Sequence, residues 1–190
     1  ILDLDDETMD QVGRSYLQLD RDRSFRFGAI TVTLPAGTVL YPWHQYALSI
    51  LNNATGDRPV YFASSGNAAE SLGLEPYLVR QGLAFRVADA PLQPDSLPTG
   101  VVPMPAGSAL SSVTGRWIDA DRSAQLVDEV FVHRGGLPDW DHWPDPSTIG
   151  IPNYYAWVYY AIAQAAWERG DTELMERYQA EGERWSELGS

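Results

Sequence analysis

The fold is decided by residues 58–87, where Arg58-Pro59-Val60-Tyr61-Phe62-Ala63, Leu72-Gly73-Leu74-Glu75-Pro76-Tyr77-Leu78 and Gln81-Gly82-Leu83-Ala84-Phe85-Arg86-Val87 follow one another. Within the first run Pro59-Val60-Tyr61-Phe62-Ala63 is short and wholly apolar, the pattern of a strand covered on both faces. Residues 74–81 are expected to form a short helix closed by Gly82, and residues 83–87 a further strand. Upstream, residues 29–34 alternate and are β-branched, which predicts a strand turned by Pro35-Ala36-Gly37. Pro42 then occupies a favoured first helical position. From it Trp43, Ala47, Ile50, Leu51 and Ala54 fall on one helix face, and Gly56-Asp57 ends the helix. Strand, helix, strand, helix, strand at this spacing predicts a small mixed α/β sheet of three or more strands with flanking helices.

Outside this block, Met9, Val12, Tyr16 and Leu19 recur at three- and four-residue steps, so a short amphipathic helix is expected over residues 8–19. Residues 89–115 carry five prolines, at 91, 94, 98, 103 and 105, which predicts a linker or a long surface excursion. A short helix is expected over residues 121–129, with Val130-Phe131-Val132 equally suited to a strand. The run 135–146 is too rich in Gly and Pro for regular structure. Residues 153–169 and 171–188 predict two helices joined at Gly170, an antiparallel hairpin whose small residues, among them Ala161 and Ala165, permit close approach. Tyr154, Trp157, Tyr160 and Ala161 share one face of the first helix, as expected of core packing. The chain is thus expected to divide into an α/β domain over residues 1–88, a Pro/Gly-rich excursion over 89–150 with short elements packing on that domain, and a helical hairpin over 151–188.

Composition narrows the function. The hydrophobic fraction of 44% and the 22 aromatic residues supply a core that a disordered chain would lack. A formal charge of −13 argues against a nucleic-acid partner and against docking on anionic lipid, because both need clustered cations. There is no cysteine, so neither a disulfide framework nor a thiolate centre can form. No run reaches the roughly 20 apolar residues of a membrane span. A chain opening on Ile1 is expected to be a piece of something longer.

The three runs within residues 58–87, with the helix before them, resemble the soluble C-terminal region of a multi-spanning membrane family related to the protein O-mannosyltransferases. There a helix leads into an RPIYFA-like strand and then a segment like GL..YL..EGLAYRL. The terminal hairpin, with Ala166-Trp167-Glu168-Arg169-Gly170-Asp171 at its turn, resembles one tetratricopeptide-like helix pair. The resemblance covers about a quarter of the chain. It implies an extracytoplasmic, non-catalytic domain of a glycosyltransferase using a lipid-linked sugar donor, assisting acceptor or glycan binding beside the membrane-embedded part of the same protein. The family's catalytic acids lie near its first membrane helix, so none carries over, and no cofactor is implied.

Several residue groups could carry chemistry on their own. Asp139-Trp140-Asp141-His142-Trp143 pairs stacking faces with carboxylates, as a saccharide contact would, although a loop pinned by two tryptophans is the plainer account. Ser64-Ser65-Gly66-Asn67 follows an apolar strand, where α/β sheets place ligands, and Ser65 and Asn67 are its candidate contacts. Ser65 or Asp141 with a histidine would make a small hydrolase, yet His44, His133 and His142 are scattered. His133 and His142 do not form a helical metal pair, so no metal site is expected. Asp3-Leu4-Asp5-Asp6-Glu7 is better explained as a solvated helix start than as a cation site. Apart from the membrane-protein reading, a free-standing carbohydrate- or peptide-binding module stays open.

Overall fold

A computed structural model describes residues 16–54, 56–63, 68–131, 148 and 150–189. In chain order the elements are β1 (Leu17–Gln18), β2 (Arg23–Phe27), β3 (Ile30–Leu34), β4 (Val39–Leu40), α1 (Pro42–Ala54), β5 (Tyr61–Ala63), α2 (Ala68–Ser71), β6 (Leu78–Gln81), β7 (Ala84–Val87), β8 (Val101–Pro103), α3 (Ala109–Thr114), β9 (Trp117–Asp119), α4 (Ala120–Gln125), α5 (Ile151–Glu168) and α6 (Thr172–Leu188). Single 3₁₀ turns at Glu75–Tyr77 and Pro94–Ser96 and one π-helical turn at Leu126–Val130 complete them. This is a mixed α/β protein. Among the described residues its main sheet has five strands in the order β5-β7-β6-β9-β8. β6 runs parallel to β9 and β8 antiparallel to it. Among the same residues no helix is long and apolar enough to cross a membrane.

The chain forms two compact units. The first comprises residues 1–77 and 86–92, the second residues 78–85 and 93–190.

In the first unit β2 and β3 make a hairpin pairing Phe25 with Val32 and Phe27 with Ile30. Gly28, at φ 57°, takes the left-handed first position of the two-residue turn, a place where glycine avoids a Cβ clash. Ile30, Val32 and Leu34 alternate inward with the strand period and pack in a core with Leu40, Leu51, Leu72 and Leu74. β1 pairs antiparallel with β4, Leu17 opposite Leu40. The helix expected over residues 8–19 therefore does not reach its C-terminal end: Leu17–Gln18 are extended, and residues 8–15 lie outside the described ones.

α1 runs as expected from Pro42 to Ala54, but its inward face is rotated from the expected one. His44, Leu48, Leu51 and Ala54 are buried, whereas Trp43 is exposed. His44 turns inward because its Nδ1 accepts the Tyr41 backbone N–H at 3.1 Å, tying the imidazole to the start of the helix. Trp43 then stacks on Tyr41 with ring planes 1° apart. β5 also departs from expectation. As a sheet-edge strand it leaves Tyr61 and Ala63 exposed and is not covered on both faces.

In the second unit the expected helix over residues 74–81 is replaced at its C-terminal half by β6, all four of whose residues are buried. Gly82, at φ 58°, is a turn residue and not a helix cap. A Cβ there would sit 2.9 Å from the Phe131 ring, so glycine is also required sterically. The Pro-rich stretch supplies β8 and α3, with Val101, Met104 and Thr114 buried, and is thus part of the packed fold. The terminal hairpin forms as expected. α5 and α6 are joined at Gly170, whose φ of 75° permits the reversal, and Asp171 caps α6 by accepting the Leu174 N–H at 3.0 Å. Ala161, Ala165, Val158 and Ile162 of α5 are buried in the unit's core with Ile118, Tyr178 and Trp185.

Candidate functional site

None of the side chains singled out for chemistry in the sequence, Ser65, Asn67, Trp140, Asp141, His142 and Trp143, falls among the described residues. The same holds for Asp3 to Glu7 and for His133 and Asp139. Among the described residues no cluster of three His, Asp or Glu side chains is placed to hold a metal ion.

The structure instead builds a groove of about 880 Å³ in the second unit, walled by α3, α5 and α6. Its α3 wall begins at Ser108, whose Oγ caps the helix by accepting the Ser111 N–H at 3.0 Å. It ends at Gly115, where φ is 80° and a Cβ would meet the Phe85 ring at 2.7 Å. The orphan carbonyls at this C-terminus are taken by Arg80, a buried residue of β6. Its Nη2 donates to Val113 O and its Nε to Thr114 O, each at 2.8 Å, while Nη1 donates to Gly82 O at 3.1 Å. The guanidinium lies over the Phe85 ring, 4.4 Å from the centroid. Burial lowers its pKa to about 10, still far above neutrality, so the cation persists. Arg80 thus fixes α3, and α3 presents Leu110, Ser112 and Val113 to the groove.

The opposite wall is aromatic. Trp157, Tyr160, Gln164 and Trp167 follow at three-, four- and three-residue steps along α5 and all line the groove. Trp157 makes an edge-to-face contact with Tyr154 at 5.1 Å. Trp167 is 61% exposed, unusual for an indole of this size. The stripe expected to pack in the core is therefore divided: Ala161 is buried, while Tyr154, Trp157 and Tyr160 are only half-buried. α6 contributes Met175 and Gln179.

Two amides in this wall are held in one orientation. Gln164 Nε2 donates to Glu168 at 2.8 Å and Gln179 Nε2 to Glu183 at 3.0 Å, both across one helical turn. One N–H of each amide is engaged in this way, and Oε1 remains the acceptor of each glutamine that lines the groove. Below the groove, Tyr178 donates to Asp128 Oδ2 at 2.7 Å while Arg177 donates to Asp128 Oδ1 at 2.7 Å. This clasp holds α6 to the π-helical turn. Burial first, and then the bond to the Asp128 carboxylate and its charge, raises the Tyr178 pKa well above the phenol range. Burial raises the phenols of Tyr155 and Tyr159 in the same direction.

The arrangement offers flat aromatic faces, oriented carbonyl acceptors and the Ser112 hydroxyl around an apolar floor. Such a surface stacks on C–H faces and accepts hydrogen bonds from hydroxyl groups. Its sequence signature, Trp-x-x-Tyr-x-x-x-Gln-x-x-Trp, is visible only once α3 is known to stand opposite. Comparison with known proteins adds no assignment: no protein-family model, no curated protein and no solved structure matches the chain.

Proposed function

We propose that this chain is a non-catalytic, extracytoplasmic domain of a membrane glycosyltransferase-like protein, and that the α3–α5–α6 groove receives an uncharged glycan or a glycan-bearing acceptor. The groove carries the reading: Trp157, Tyr160 and Trp167 supply stacking faces beside the oriented carbonyls of Gln164 and Gln179. A neutral sugar ring matches both features, with C–H faces for the indoles and hydroxyl donors for the amide oxygens. The link to a membrane glycosyltransferase rests on the sequence resemblance across residues 58–87. The partner in that reading is the membrane-embedded part of the same protein.

The test is titration of the protein with neutral oligosaccharides built from mannose, glucose and galactose, followed by tryptophan fluorescence and calorimetry. Binding is expected for at least one, with a change in indole emission that Trp157→Ala and Trp167→Ala remove while the melting temperature of Trp167→Ala is unchanged. Absence of heat and of any emission change across the panel rejects the glycan groove. The membrane assignment is tested separately, by whether the protein in its cells fractionates with membranes and is digested by protease added from outside.

A further inference from the structure

The first unit holds a second concavity, a cleft of about 420 Å³ lined by Arg58, Tyr61 and Arg86 together with Asp57 and Asp89. Its two guanidiniums are unengaged. Among the described residues neither Arg58 nor Arg86 has a side-chain hydrogen bond or an ion pair, although acids outnumber arginines two to one, 26 to 13. Arg86 Nε is shielded from solvent and has no acceptor. An oxyanion in the cleft cannot reach that enclosed nitrogen and would accept instead from the Nη groups of Arg86 and from Arg58, the two arginines that line it. A carboxylate fits a guanidinium fork in the bidentate geometry that makes such pairs strong.

The two aspartates decide the class of anion. They bring the formal charge of the cleft to about zero, which disfavours a dianionic phosphate more than a singly charged carboxylate. Both are exposed acceptors, so they suit a ligand whose carboxylate has hydrogen-bond donors close by. We propose that this cleft is a binding site for a small carboxylate carrying adjacent donor groups. A sugar acid, with hydroxyls beside its carboxylate, and an amino acid or peptide C-terminus both present that chemistry. The site lies within the first unit and stands independently of the aromatic groove.

Calorimetric titration of the whole chain with glucuronate, with alanine, with glucose and with inorganic phosphate tests the proposal. Glucuronate or alanine is expected to bind, and which of them does so identifies the source of the carboxylate. Glucose is expected to give no heat at this site. Arg58→Ala, an exposed substitution, and Arg86→Lys, which keeps the charge but loses the fork, are each expected to weaken binding about tenfold or more. No binding of either acid, binding of phosphate alone, or unchanged affinity in both variants overturns it. The substitutions leave the oligosaccharide response of the groove intact, so the two sites fail or stand separately.

Discussion

The ring of Tyr160 on α5 packs against Gly182 on α6, so that a Cβ built on the glycine would stand 2.7 Å from Tyr160 Cε1 and 2.8 Å from Cδ1. A glycine in the middle of a 17-residue helix ordinarily costs about 1 kcal/mol relative to alanine. Here it is what allows an aromatic of the groove wall to be seated between the two helices.

Gly182→Ala is therefore expected to destabilise the protein despite the gain in helix propensity. A net loss of about 1–3 kcal/mol is expected from overpacking. A double-mutant cycle with Tyr160→Ala, followed by urea denaturation, checks the cause: with the ring removed the alanine should become neutral or stabilising. Simple additivity would show that the ring is not the obstacle.

Arg80 is expected to be the most sensitive position of the second unit. Arg80→Met retains the stem but leaves the carbonyls of Val113, Thr114 and Gly82 without their buried donor. With about 1–3 kcal/mol for each unsatisfied group, a loss of at least about 3 kcal/mol is expected. Hydrogen exchange should show faster exchange in α3, the groove wall that these bonds secure. Protection unchanged in α3 would refute this role.

The Asp128 clasp makes stability sensitive to alkali. The folded-state pKa of Tyr178 lies above its unfolded value, so its contribution is complete below the unfolded phenol pKa, about 10, and is lost as pH rises towards the folded value. Melting temperature should fall above about pH 10, and Tyr178→Phe should flatten that fall. Absorbance at about 295 nm, where phenolate is read, should show phenols ionising together with unfolding. An equally steep fall in the variant would assign the alkaline transition elsewhere.

His44 acts at the other end of the scale. Burial lowers its pKa, and its Nε2 is enclosed without a partner. Its neutral form is favoured in the fold, so its contribution is present above the unfolded value of about 6.5 and is lost as pH falls through the lower folded value. Stability of the first unit should decline below about pH 6.5, and His44→Gln, incapable of protonation, should lack that component. Proton-detected titration of the imidazole checks it directly, and a folded pKa at or above the unfolded one would refute it.

The parts of the fold with a strong period were legible in the sequence. β3 and β7 announced themselves by their β-branched and apolar residues, and α1 and the terminal hairpin by their spacing and by Pro42, Gly56 and Gly170. β2 was not legible, because three of the five residues of Arg23-Ser24-Phe25-Arg26-Phe27 are polar and exposed and only Phe27 is buried. β6 is hidden in the sequence because Leu78-Val79-Arg80-Gln81 before Gly82 mimics a helix end. Local propensity gives no hint that Arg80 and Gln81 are buried, where Gln81 donates to Asp119 at 2.8 Å. The groove was half legible. Its aromatic stripe was plain, but whether a stripe faces core or cavity depends on α3, a short helix in a Pro-rich stretch, and on the absent side chain of Gly182.

The interleaving of the two units has a consequence for how the protein is made and dissected. Residues 78–85 belong to the second unit, yet they leave the ribosome before residues 86–92, which complete the first. The first unit is therefore not finished when its opening 77 residues have emerged, and the second must keep its earliest segment waiting for a partner strand, Trp117–Asp119, synthesised later. No single cut in the gene yields both units whole. Expressing either alone requires a permuted or internally deleted chain, and a nonsense mutation directly after Leu92 keeps both segments of the first unit while leaving only residues 78–85 of the second.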